Sequence, residues 1–118
     1  MLTQNLGYPR IGGHRELKKV SEQYWAGKSS LEELRQVANK IKEENWRTQL
    51  AAGIDLIPCN DFSFYDQTLD TSLMLGAVPK RYSPVLSAAG SGNEMDVYFA
   101  MARGYQKNGL DITAMEMT

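Results

Sequence analysis

Apolar side chains recur three and four residues apart in two early stretches of the chain, and that spacing predicts two helices. In the first, Leu17, Val20 and Tyr24 share one side of a helix running to about Gly27, a residue suited to ending it. In the second, Leu34, Ala38 and Ile41, and later Trp46 and Leu50, carry a stripe that should stop near Gly53. Ser30 followed by Glu33 has the form of a capping box, which places the second helix's start. Glu43 and Arg47 are four apart and add modest surface support. Ile54-Asp55-Leu56-Ile57-Pro58 reads as a short buried strand halted by proline. Asn60-Asp61 supplies turn or cap chemistry before a further helix over roughly residues 64–75, closed by Gly76. Helix, strand, polar turn and helix in that order make the grammar of a βα unit in a parallel α/β fold. Such folds gather ligands at the C-terminal ends of their strands, here near Cys59, Asn60 and Asp61.

The second half is less regular. Residues 78–93 hold Pro79, Pro84, Gly90, Gly92 and several serines and read as a long surface loop. A short helix over about residues 95–103 precedes a turn at Lys107-Asn108-Gly109. Residues 112–117 fit a strand and a helix edge equally well. No internal repeat or low-complexity tract interrupts the chain.

Length and charge narrow the picture. The 118 residues suffice for one small domain. Thirteen basic and fourteen acidic side chains leave a net charge of −1, which argues against a general nucleic-acid binder. Any basic site must therefore be local, and Arg10, Arg15, Lys18 and Lys19 form the candidate cluster. One cysteine excludes an internal disulfide and fits a reducing cytoplasm. No signal-peptide core and no membrane-length apolar run are present in the sequence. The chain stops at Thr118 inside an apolar, structured-looking segment, which suggests a piece of a larger protein.

The candidate chemistry sits in the opening run from Gly7 to Lys19. Glycines and a proline lead straight into a helix whose first turns are basic, against the preference of the helix dipole. Arg15 and Lys18, three apart, would share a helical face. Together with free backbone N–H groups they would cradle an anion. Taken alone, two such cations are more often a solvated face. Leu17 also fits the core stripe, and Glu16 either complements the dipole or meets a ligand through its backbone. His14 is the sole histidine, and no metal-ligand spacing surrounds it or Cys59, so no metal site is expected. Cys59 reads as a small buried residue at a strand end. Tyr65-Asp66 and Asn60-Asp61 read as turns and caps before pocket residues. Gly7 to Gly13 is no phosphate loop, since no Lys-Ser/Thr follows the glycines. The six methionines read as core filling.

Gly7-Tyr8-Pro9-Arg10-Ile11-Gly12, Arg15-Glu16-Leu17-Lys18 and Tyr24-Trp25 resemble the N-terminus of cobalamin-independent methionine synthase. So do Ala52 to Pro58, Asn60-Asp61-Phe62, Tyr65-Asp66-Gln67, Leu69-Asp70, Met95 to Gly104 and Ala114 to Thr118. The resemblance spans nearly the whole chain apart from residues 85–94. It implies an α/β fold, the N-terminal portion of a (β/α)8 TIM-type barrel, mostly helical over these residues. Residues 1–118 would be an incomplete part of the first of two barrels.

The implied activity is methyl transfer from 5-methyltetrahydropteroyltri-L-glutamate to homocysteine. Arg15, Glu16, Leu17 and Lys18 would take part in holding the folate's polyglutamate tail. The resemblance further implies zinc in the full-length protein, with its ligands outside this chain, and no cobalamin. No catalytic residue falls within the chain, and the isolated piece is expected to be inactive. The expected partners are the polyglutamylated folate, homocysteine and the remainder of the synthase, with no nucleic acid and no membrane. Two other readings stand beside it: a standalone module for folate or another polyanion, and a non-catalytic interaction piece.

Overall fold

A computed structural model describes residues 1–88 and 94–115. Its contacts form two compact units, Met1–Phe64 and Tyr65–Thr118.

The first unit is built on a helical hairpin, α1 (Glu16–Trp25) and α2 (Leu31–Ala51). Leu17 and Val20 of α1 pack with Leu34, Ala38 and Ile41 of α2, all nearly inaccessible to water. Removing each such side chain from water is worth roughly 1.5–3 kcal/mol, so this stripe dominates the unit's stability. The capping box forms as the sequence predicts. Ser30 Oγ accepts the Glu33 N–H at 3.1 Å, and the Glu33 carboxylate accepts the Ser30 N–H at 2.8 Å.

Toward its C-terminus α2 departs from the predicted stripe. Trp46 is 38% and Leu50 66% exposed, whereas Gln49 is 2% exposed. The cause is the segment before α1, which uses polar groups of α2. Asn5 Nδ2 donates to Gln49 Oε1 at 2.9 Å, Gln49 Nε2 to the Asn45 carbonyl at 3.0 Å, and Asn45 Nδ2 to the Pro9 carbonyl at 3.2 Å. Burying amides without partners would be costly, and this ladder gives Gln49 both of its partners while Asn5 Oδ1 stays buried without one.

The expected strand over residues 54–58 shrinks to one parallel bridge between Gln4 and Leu56. Thr3 and Asp55 clamp it: Asp55 Oδ2 accepts the N–H and the hydroxyl of Thr3, both at 2.8 Å. The Asp55 carboxyl is held below its usual range by those two donors, the backbone one first. Pairing through a single residue cannot bury a strand's side chains. Leu56 is accordingly half exposed, and Cys59 lies in the open instead of in a core. The order of pairing segment, helices and parallel pairing segment is nonetheless a rudimentary helical crossover.

The second unit holds α3 (Gln67–Met74), α4 (Ser83–Ala88), α5 (Glu94–Arg103) and a hairpin of β1 (Tyr105–Lys107) with β2 (Leu110–Ile112). Helix α3 starts three residues later than the sequence suggests, because Asp66 caps it, accepting the N–H groups of Thr68 and Leu69. The predicted loop over residues 78–93 contains a 3-10 turn (Lys80–Tyr82) running into α4. Tyr82 and Val85 are fully buried there, and apolar anchors of that kind order a segment despite its prolines. Residues 89–93 of that loop lie outside the described residues.

The hairpin pairs antiparallel, Tyr105 with Ile112 and Lys107 with Leu110. Asn108 (φ 53°) and Gly109 (φ 77°) turn it, the left-handed pair that a two-residue hairpin loop demands. At Gly104 (φ 82°) a Cβ would stand 2.8 Å from the Ile112 carbonyl oxygen, so only glycine lets α5 pass into β1. Of the uncertain stretch over residues 112–117, Ile112 ends β2, residues 113–115 form no element, and the rest lies outside the described residues. The methionines divide: Met101 is buried, but Met74 and Met1 are exposed, so core filling holds for only part of them. Among the described residues the chain is mostly helical with one two-stranded sheet.

Candidate functional site

The run before α1 is fixed from several sides within the first unit. Asp61 Oδ2 accepts the Tyr8 N–H at 2.8 Å. The Arg10 guanidinium donates to the carbonyls of Ser63 and Phe64, both at 3.2 Å. Arg10 is therefore a strut that ties the run to the segment after residue 56, and this use sets it apart from the other cations of the cluster.

The start of α1 differs from the expected cradle. Glu16 turns its carboxylate back over the loop, where Oε2 accepts the His14 N–H at 2.9 Å. Its own N–H and that of His14 are the main reasons its carboxyl lies below the usual range, with the charges of His14 and Lys19 adding less. The Arg15 N–H goes to the Gly12 carbonyl at 3.2 Å, and the Leu17 N–H to the Ile11 carbonyl at 3.1 Å. The backbone donors of residues 14–17 are thus occupied from within. These four N–H groups are not on offer to an anion, which would meet the side-chain cations in their place.

Arg15 is the residue before the helix, with φ 62° and ψ 36°, and contributes no side-chain cap. Its direction is set by this left-handed backbone, so the three-residue spacing to Lys18 does not by itself align the two. Both cations are exposed. Lys18 Nζ lies 3.8 Å from Glu22, with both side chains more than half exposed, a pairing that water and salt weaken. Leu17 is 1% exposed and spends its side chain in the core. Of the four residues in the box, two offer charge outward, one organises the loop and one anchors the helix.

An open groove between α1 and α2 is lined by the apolar Val20, Val37 and Ile41, by Lys19, Lys28 and Lys40, and equally by the carboxylates of Glu16, Glu33 and Glu44. Neither Arg15 nor Lys18 lines it. Among the described residues no group of three or more His, Cys, Asp or Glu side chains could hold a metal, and these residues do not fit a zinc site. No helix among them is long and apolar enough to cross a membrane.

Sequence reasoning missed the Asp61–Tyr8 link and the Asn45–Gln49 ladder. Asn45 and Gln49 stand four apart, four and eight residues on from Ile41, and that polar continuation of the apolar stripe was the available signal.

Residues 2–118 match the family described as "Cobalamin-independent synthase, N-terminal domain". The chain belongs to this family, that of cobalamin-independent methionine synthase. It is 62% identical over its whole length to a 5-methyltetrahydropteroyltriglutamate–homocysteine methyltransferase of Cytophaga hutchinsonii. The identity to the protein of that name from Flavobacterium johnsoniae is 60%, again over the whole chain. With that from Candida albicans it is 50% over 95% of the chain. The chain spans 15% of the length of each of these three relatives. The family's description is in keeping with chemistry that uses no cobalamin.

Proposed function

We propose that the chain acts as the first part of a methyltransferase that moves a methyl group from 5-methyltetrahydropteroyltri-L-glutamate to L-homocysteine, and that it helps hold the donor's glutamate tail. The observation that carries this reading is the pair of exposed cations, Arg15 and Lys18, at a helix start inside a chain matched to the family over residues 2–118. A polyglutamate tail carries several carboxylates, and exposed guanidinium and ammonium groups bind such groups through charge-assisted hydrogen bonds. Binding energy gathered at the tail can be used to orient the distant methyl group.

Zinc, as the family resemblance implies, would hold homocysteine as its thiolate on residues elsewhere in the full-length protein. The residues described here bind and orient only, and the chain by itself is inactive. The barrel reading draws support from the parallel Gln4–Leu56 bridge across a helical crossover, and from exposed Leu2, Leu6 and Leu56 beside it. Further parallel strands would cover those side chains. The site of action is the cytoplasm.

The test is a chimera in which these 118 residues replace the matching N-terminal part of the Cytophaga hutchinsonii methyltransferase. It should make methionine, and Arg15→Ala or Lys18→Ala should raise KM for the triglutamate donor about tenfold, the loss of roughly 1.4 kcal/mol. The rise should shrink at high salt. A folded chimera whose KM ignores both substitutions would sink the tail-binding reading.

A further inference from the structure

The left-handed conformation of Arg15 is held by backbone and carboxylate contacts around residues 12–16. A non-glycine residue at φ 62° is strained, and such strain persists only where surrounding contacts over-determine it. Here the contacts can be named. The Arg15 N–H is bonded to the Gly12 carbonyl, and its own carbonyl already accepts the Lys19 N–H at 3.1 Å as the first bond of α1. The Glu16 carboxylate pulls the His14 N–H toward the helix from the other side. Residues 12–16 thereby close into a small ring around Arg15, and its two ends are Gly12 and Glu16.

Gly12 is fitted to that ring in two ways. Its φ of 85° is a conformation that side-chain-bearing residues avoid. A Cβ there would also run into Glu16 Oε2 and come within 3.0 Å of Glu16 Cδ. Any side chain at position 12 would therefore displace the carboxylate that holds His14. By contrast, Gly13 and Gly27 would meet nothing within 4 Å, so close approach is particular to Gly12 within this stretch.

We infer that Gly12 and Glu16 are positioning residues, a lock that fixes the backbone of Arg15 and so sets the point and direction from which its side chain leaves the chain toward a carboxylate of the bound glutamate tail. The inference rests on the tail-binding reading above and adds to it the device that pre-orients one of the two cations. An Arg on a freely rotating loop would lose that orientation before each encounter, and pre-organisation is what raises affinity without a new contact. Lys18 lies within α1 and needs no such device.

The experiment is a double-mutant cycle in the same full-length chimera, read as KM for 5-methyltetrahydropteroyltriglutamate. Gly12→Ala and Glu16→Ala should each raise KM several-fold, with KM for homocysteine unmoved. Combined with Arg15→Ala, neither should raise KM further, because no guanidinium is left for the lock to orient. Combined with Lys18→Ala, each should multiply the loss. General destabilisation would instead multiply with both, and that outcome overturns the inference, as does an unchanged KM in Gly12→Ala. Arg15→Gly gives a second handle. It should lose as much affinity as Arg15→Ala while the melting temperature holds or rises, since glycine is at ease where arginine is strained. If Arg15→Ala and Lys18→Ala themselves leave KM unchanged, the tail-binding reading fails first and the aiming role falls with it. If they raise KM and Gly12→Ala does not, only the aiming role fails.

Discussion

Helices α1 and α2 lie side by side in one hairpin and begin in opposite styles. At the start of α2 a serine caps the helix, a glutamate three residues on returns the bond, and the backbone of Ser30 is extended (φ −81°, ψ 164°). At the start of α1 an arginine occupies the capping position in a left-handed conformation with no side-chain bond. The glutamate there comes one residue after the cap and reaches backward to His14. The first start is what helix stability alone would select. The second gives up a cap and accepts strain, and it leaves an exposed guanidinium at the helix start. On the tail-binding reading proposed above, the less stable start is the one that belongs to the site.

Substitutions can break or sharpen this contrast. The largest effect is expected from a third helix start, that of α3, where the Tyr98 hydroxyl accepts the N–H groups of Tyr65 and Asp66 at 2.8 and 3.0 Å. Tyr98 is 2% exposed, and burial, first among its causes, pushes its pKa far up, so the hydroxyl stays neutral. Tyr98→Phe leaves two donors without their acceptor and should cost about 1–3 kcal/mol in a urea melt. Next, Ser30→Ala removes the only side-chain cap of the α1–α2 hairpin and should cost about 1 kcal/mol by the same measurement. Arg15→Gly carries the opposite sign, a gain of a few tenths to about 1 kcal/mol, as left-handed strain is released against the entropy of glycine. A loss there would mean that Arg15 serves the fold and would erase the contrast.

The smallest effect is in acid. The carboxyls of Glu16, Glu33 and Asp55 are all held below their usual range by hydrogen-bond donors. A folded-state pKa below the unfolded one contributes stability that is present above the unfolded value. That contribution is lost as pH falls through the folded one. The melting temperature should therefore decline below the ordinary carboxylate range, and Glu33→Gln and Glu16→Gln should each flatten the decline.

Much of this was legible beforehand, and the failures have a common cause. The α1–α2 pairing, the Ser30 box and the turn at Lys107-Asn108-Gly109 rest on contacts a few residues long, and local pattern records those well. Trp46, Leu50 and the segment 54–58 differ from the pattern because their surroundings depend on residues 3–9, between 36 and 52 positions away along the links that join them. Tyr82 and Val85 were hidden behind Pro79 and Pro84, whose punctuation suggested a loop although two buried side chains anchor it. In the candidate site the cations stand out by their charge at a helix start, and only the family resemblance assigns them to the folate tail. The roles of Gly12 and Glu16 depend on a φ angle and on which N–H a carboxylate reaches, and no residue spacing encodes either.

The Thr3–Asp55 clamp bears on the order of events during synthesis. It joins residues 52 apart, so the segment around Thr3 is made well before its partner and is among the last of its unit to pair. At ordinary translation speeds it waits roughly 3–10 s, long after α1 and α2 can pair through local contacts. For that interval Leu2 and Leu6 travel on an unpaired stretch of backbone. A polar hook made of one threonine and one aspartate then gives the arriving segment a defined register on first contact, before any apolar surface has had to choose.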